Sequence, residues 1–442
     1  MSLHDQIDHA GATDVGIRRS HNQDAFQIQK AVDKEHFLRV GHIFLVADGM
    51  GGHAVGEKAS AKASREIPLI YAKHVDETPD VALRRAFQET NTGIHAIGQE
   101  NPEFRGLGTT ATALVIREEG AWVAHVGDSR AMRVRDGQLE QLSFDHSYVW
   151  EMARRMNIPP EDLSDVKKNV IIRSLGPDPL VQVDVEGPYP LQSGDIFILC
   201  SDGLSNVLEP DEIGIIASAL PPPEATRVMI ELANLRGGPD NITVLIIKVG
   251  VGEPSVVGGG AKTKKFTALG NLLHYWNRHV AWPLSILMVG FLFALVFVLF
   301  PINVWPGQMF WFILSALTIL SGLVGLLLQQ RFQRKADERE SNSPRKLNIY
   351  REYDCRISRD TFDKFRKINN DVKQHLETNK LQTDWKTFQK HREAADEALQ
   401  DEDLLTAFRE ECRALVGVAR SYNQTRQKEE GFKPKFGTGG EW

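Results

Sequence analysis

Four aspartates in this chain share one setting. Asp48 follows the apolar run His42 to Ala47 and precedes Gly49. Asp128 follows Ala124-His125-Val126-Gly127, and Asp202 follows Ile196 to Ser201 and precedes Gly203. Asp240 precedes Asn241 and the run Ile242 to Val249. A carboxylate at the tip of a strand is held by a rigid element yet faces an open edge. Several such tips on neighbouring strands would bring carboxylates together, and clustered carboxylates repel unless a cation neutralises them. Oxygen ligands without histidine or cysteine partners select hard cations, so Mg²⁺ or Mn²⁺ suits the pattern better than zinc. Each Asp-Gly alone is an ordinary turn. Together, beside glycine-rich segments, they point to metal chemistry. The cysteines offer no rival. Cys200, Cys355 and Cys412 lie far apart and make neither a disulfide framework nor a thiolate zinc site. Cys200 adjoins Ser201-Asp202, but no histidine partner is evident, and its apolar run marks it as a packing residue.

The elements that must position these tips are short. Strand-length runs rich in Val, Ile, Phe and Thr lie at 42–47, 110–116, 122–126, 196–200 and 242–249. Between them, Gly56 to His74 and Val81 to Gly98 carry apolar residues at helical spacing, and another helix follows Pro223. Residues 1–250 therefore read as one mixed α/β domain. Residues 251–279 read as a flexible basic linker, since Gly250 to Lys265 contains Gly258-Gly259-Gly260 and no apolar period. Val280 to Phe300 and Trp305 to Leu328 carry no charge. Each is long enough to cross a hydrocarbon core of roughly 30 Å, so 280–330 is expected to be a two-span transmembrane hairpin. Lys262, Lys264, Lys265 and Arg278 precede it and Arg331, Arg334 and Lys335 follow it, which puts both flanks in the cytoplasm. Residues 331–442 are densely charged with both signs mixed and read as a helical cytoplasmic tail, either a small bundle or a long amphipathic pair. The 442-residue chain is 42% hydrophobic and 25% charged with net charge −6, which excludes wholesale disorder and argues against a nucleic-acid partner.

The motifs of the first 250 residues resemble one family. Arg18-Arg19-Ser20-His21-Asn22-Gln23-Asp24 looks like the opening motif of the metal-dependent serine/threonine phosphatases of the PP2C (PPM) type, in its bacterial form. Asp48-Gly49-Met50-Gly51-Gly52-His53, Gly108-Thr109-Thr110, Gly127-Asp128-Ser129-Arg130, Asp145-His146-Ser147, Ser201-Asp202-Gly203-Leu204 and Asp240-Asn241-Ile242-Thr243 follow in family order. The hairpin and the tail lie outside the resemblance.

The resemblance implies an α+β fold, a sandwich of two antiparallel sheets flanked by helices. It implies two or three Mn²⁺ or Mg²⁺ ions and hydrolysis of phosphoserine and phosphothreonine on proteins by metal-activated water. By residue, Asp48 would bridge two ions, the Gly49 carbonyl would join one, and Asp202 and Asp240 would hold the other. Asp24 would orient water, Asp128 with Asp202 would form a weaker third site, and Arg19 would clamp the phosphate with its guanidinium fork. Gln23 stands where the family often has glutamate. Met50 replaces the histidine proposed as general acid in eukaryotic members, leaving His53 or an ion-bound water for that role. Tyr148 to Lys168 would form the flap over the site, where Arg154, Arg155, Lys167 and Lys168 either meet acidic substrates or make a solvated face. His125 and His146 read as core and turn residues. The reading is thus a multi-pass inner-membrane phosphatase with phosphoproteins as substrates, opposing a serine/threonine kinase of the same pathway, and in contact with membrane lipid. The alternative is a catalytically silent phosphoprotein-binding module.

Overall fold

The structure, a computed structural model, describes residues 3–51, 56–100, 102–104, 106–163, 170–250 and 347–431, with 316, 318 and 321. The chain opens with β1 (Ile7–Asp14), β2 (Asp24–Gln29), α1 (Lys34–Val40) and β3 (His42–Met50). Two long helices, α2 (Gly56–Lys73) and α3 (Pro79–Glu100), precede β4 (Gly108–Thr109), β5 (Ala111–Arg117), β6 (Gly120–Val126), β7 (Arg130–Arg135) and β8 (Gln138–Gln141). Then come α4 (Tyr148–Met156), β9 (Asp184–Tyr189), β10 (Ile196–Cys200), α5 (Asp202–Ser205), α6 (Pro210–Ala219), α7 (Pro222–Leu235) and β11 (Ile242–Val249). The C-terminal region adds β12 (Arg351–Asp354), α8 (Arg359–Thr378), α9 (Trp385–Gln400) and α10 (Leu404–Gly431).

Two antiparallel sheets face each other. One runs β1-β11-β10-β7-β8-β12 and the other β2-β3-β5-β6-β9, with β4 beside the end of β3. The inner strands β3, β5, β6, β10 and β11 read as near-continuous apolar runs because both of their faces are buried. In β3, Phe44 and Val46 point between the sheets while Ile43, Leu45 and Ala47 point out beneath helices. In β10, Phe197 and Leu199 face inward, and Ile196, Ile198 and Cys200 face outward. The outer face of the second sheet is covered by α2 and α3 through Ala63, Ile67, Leu83 and Phe87. The expected sandwich is therefore present. The runs at 196–200 and 242–249 coincide with β10 and β11, and β3 continues past its run to Met50, so that Asp48 lies inside the strand.

The C-terminal region is helical, as expected, but it is not a separate solvated appendage. It packs with residues 3–250 in one compact unit. Strand β12 pairs with β8 through Arg351↔Gln141 and Tyr353↔Leu139. Phe362, Phe365, Phe408, Cys412 and Leu415 join the same core as Ile213, Ile216, Met229 and Leu232 of α6 and α7. The physical reason is that α6 and α7 carry apolar residues on more than one face. Ile213, Ile215, Ile216 and Ile230 are all buried, and one sheet cannot cover them. Charges along α10 fall on this contact: Arg413 meets Glu224 at 2.8 Å and Arg409 Nε donates to the Ala219 carbonyl at 2.6 Å. The expected linker, 251–279, and the spans within 280–330 lie outside the described residues, the three isolated positions apart. Among the described residues no helix is long and apolar enough to cross a membrane.

Candidate active site

Strand register gathers the sequence-predicted residues at one end of the sandwich. Asp24 opens β2 directly opposite Asp48 in β3. Cys200 ends β10 opposite Val244 and Arg130, so Asp202 emerges beside the start of β11, where Asp240 lies, and beside the start of β7, where Asp128 lies. Asp14, the last residue of β1, pairs with Ile242, which brings the following loop and its Arg19 to the same end.

Hydroxyls hold this end rigid. The Asp48 backbone N–H donates to Thr110 Oγ1 at 2.9 Å. The Asp48 carbonyl accepts from Thr109 Oγ1 at 2.9 Å and from Thr110 N at 2.8 Å. Thr110 Oγ1 in turn meets Ser129 Oγ at 2.8 Å, tying Asp48 to the turn that carries Asp128. Asp24 Oδ2 accepts from Ser201 Oγ and Thr243 Oγ1, both at 2.7 Å. Asn241 accepts from Gln23 N at 2.8 Å and donates to the carbonyls of Val15 and His21 at 2.9 and 3.0 Å, stapling the Arg19 loop. Gly49 must be glycine: a Cβ there would stand 2.2 Å from the Gly56 carbonyl oxygen. The roles of Thr109, Thr110, Ser129, Ser201, Asn241 and Thr243 were missed from sequence, although each sits inside a quoted motif.

The electrostatics are those of a crowded acidic cluster. Asp24 Oδ1, Asp128 Oδ1 and Asp202 Oδ1 are buried with no hydrogen-bond partner. Burial, then the charges of Asp24, Asp202, Asp128 and Asp240, pushes the Asp48 carboxyl well above the usual range. Asp128 is raised likewise by burial and by Asp202 and Asp145. Burial raises Asp24 to about 7 against the opposing bonds from Thr243 and Ser201, and Asp202 rises through burial and the Asp240 charge. Arg19 Nη2 donates to Asp240 Oδ2 at 2.7 Å, the one cation drawn into this acidic cluster from the predicted set. Oxygen donors that repel one another and leave lone pairs unsatisfied fit hard divalent cations. Among the described residues no group of three or more His, Cys, Asp or Glu already stands arranged around an ion position.

His125 and His146 are both buried, and burial lowers them, His125 to about 3, so both are neutral. They brace the Asp128 turn: the Gly127 N–H donates to His146 Nδ1 at 3.0 Å, and His125 Nε2 contacts the Gly127 carbonyl at 2.9 Å. Cys200 is fully buried and pushed up to about 12 by that burial, which agrees with packing. Arg154 and Arg155 of the flap pair with Glu151 on an exposed face at 2.6 and 2.8 Å. His53, Lys167 and Lys168 lie outside the described residues. Beside Asp128 and Asp202 a cavity of about 410 Å³ extends beneath the flap past Trp150 and Glu161, and reaches Arg351 and Tyr353 of β12.

Known proteins share this region. Residues 17–234 match the family described as protein phosphatase 2C. A putative protein phosphatase 2C-type of Streptococcus pyogenes is 38% identical over 53% of this chain and 94% of its own length. The serine/threonine phosphatase stp of Listeria monocytogenes is 36% identical over 53% of this chain and 93% of its own. Among solved structures, the catalytic domain of the serine/threonine protein phosphatase PstP in complex with two manganese ions is 30% identical, covering 55% of this chain and 99% of that one with a TM-score of 0.45.

Proposed function

Because this chain belongs to the protein phosphatase 2C family of serine/threonine protein phosphatases, we propose that it hydrolyses phosphoserine and phosphothreonine on proteins with two divalent cations, Mn²⁺ or Mg²⁺. Asp48, the Gly49 carbonyl, Asp202 and Asp240 would hold them, and Asp128 with Asp202 a third. The observation that carries this reading is the row of mutually repelling carboxylates at one end of the sandwich, three of them with a buried oxygen that has no partner. When bound, such ions supply an activated water and neutralise charge on the phosphoryl group.

The chain's own residues do the rest. Asp24 is fixed through Oδ2 by Ser201 and Thr243, which leaves Oδ1 to accept a hydrogen bond from a water within the site. Arg19 is about half exposed at the rim, and its fork matches two oxygens of a phosphate. The Thr109–Thr110–Ser129 chain keeps Asp48 and Asp128 at fixed separation without spending their carboxylates. Cys200 keeps its proton in a buried packing position, and His125 and His146 are weakened as bases by burial and already brace the Asp128 turn, so the reading assigns none of them as nucleophile or base.

The uncharged segments 280–300 and 305–328 support anchoring in the inner membrane with catalytic region and tail both cytoplasmic, where the enzyme would oppose a serine/threonine kinase. The full chain should release phosphate from a phosphothreonine peptide with Mn²⁺ or Mg²⁺ and stop when EDTA is added. Turnover that survives exhaustive chelation would refute the two-cation reading.

A further inference from the structure

The cavity lined by Asp128 and Asp202 is also lined by residues from beyond the family's region, Arg351 and Tyr353 of β12. Pairing of Arg351 with Gln141 of β8 fixes its backbone. Its guanidinium forms a fork with the Glu161 carboxylate, donates to Tyr353 Oη at 2.9 Å, and lies 4.8 Å from the centre of the Trp150 ring. Trp150 belongs to α4 and Glu161 to the next turn, so one side chain from the C-terminal region grips the flap at two points. The Trp150 ring also lies 5.8 Å from the Arg130 guanidinium, which is clamped by Asp145 at 2.8 Å. An aromatic ring between two ion-paired guanidinium groups makes a rigid wall. A phosphate and its two cations need only the carboxylate end of this space. The volume of about 410 Å³ suits a larger group, and its lining runs from Asp128 and Asp202 to Trp150, Glu161 and Arg351.

We propose that Arg351 is a specificity-determining positioning residue, holding Trp150 and Glu161 at the rim of a subsite for the polypeptide that flanks the phosphorylated residue of a protein substrate. This rests on the phosphatase reading above. The phosphatase shape read by the substrate is thus completed by a strand that follows the hairpin segment in the chain.

The test compares a phosphothreonine peptide with p-nitrophenyl phosphate on the full chain. Arg351→Ala should raise KM for the peptide with little change in kcat, and lower the peptide-to-aryl-phosphate ratio of kcat/KM about tenfold. Glu161→Gln, at a largely exposed carboxylate, should lower the same ratio. The exchanged pair Arg351→Glu with Glu161→Arg should restore much of it. Equal losses on both substrates, or no change in the ratio for either single variant, would overturn the proposal. If the unaltered chain hydrolyses neither substrate with Mn²⁺ or Mg²⁺, the phosphatase reading itself fails and takes this inference with it.

Discussion

Buried acids are handled in opposite ways in two regions of this molecule. At the strand ends, Asp24, Asp48, Asp128 and Asp202 are sunk side by side, and three of them keep an oxygen with no partner. In the C-terminal helices Glu411 is buried still more completely, yet it receives Arg392 at 2.5 Å and Asn369 at 2.8 Å, with Arg366 at 3.5 Å. Glu212, in the first turn of α6, receives Arg236 at 2.6 Å and Lys364 from α8 at 2.6 Å. Burying an unpaired charge costs several kcal/mol per ion, so chains normally pair it. The helices follow that rule and the strand ends break it. The break marks where selection has favoured binding over stability.

Removing one carboxylate should separate the two regions most sharply. Asp48→Asn should cut phosphopeptide turnover by on the order of 10³-fold. The same change should raise the melting temperature of the metal-free chain, because a repelling charge is gone. A fall in melting temperature would mean that the site acids are structurally paired after all. In the helices the sign reverses. Glu411→Ala strands Arg392 and Arg366 against a buried surface and should cost about 3–5 kcal/mol in urea unfolding.

The regions should also differ in pH response. Asp24, raised from 3.8 to about 7 by burial, holds its proton in the fold but loses it when unfolded. In EDTA it therefore favours the fold at low pH and withdraws that support as pH rises from about 4 to about 7. Glu212 would be raised by burial alone, but Arg236 and Lys364 bring it from 4.5 down to about 2. Its contribution is present above about pH 4.5 and disappears as pH falls toward 2. Thermal melts from pH 2 to pH 8 should show Asp24→Asn flattening the upper slope and Glu212→Gln the lower one. Added Mn²⁺ should abolish the upper slope only. The smallest effect belongs to the partly exposed Arg413–Glu224 pair, where Arg413→Ala should change unfolding free energy by less than about 1 kcal/mol.

Much of the site was legible in the sequence because strand ends and turn glycines sit next to each other along the chain. Asp48, Asp128, Asp202 and Asp240 each abut an apolar run, and antiparallel pairing brings such positions together. The hydroxyls that brace them were harder to see: Ser201 and Thr243 reveal their roles only once β10 lies beside β11. Strands β1 and β2 hid as well, since Ile7–Asp14 and Asp24–Gln29 mix polar and apolar residues without a run. The docking of the C-terminal region was hidden for two reasons. Phe362, Phe365 and Phe408 show a helical stripe but not what covers it. Arg351-Glu352-Tyr353-Asp354 has almost no apolar content, and it joins the sheet through backbone bonds that side-chain pattern does not encode.

The pairing of β12 with β8 also bears on how the molecule must be handled. Cutting the chain after residue 250 would strip the cover from β8 and from the apolar faces of α6 and α7. A bare strand rim beside a greasy patch invites self-association and precipitation. The shortened enzyme would be expected to clump unless another chain, or a second copy's own rim, took the vacated place.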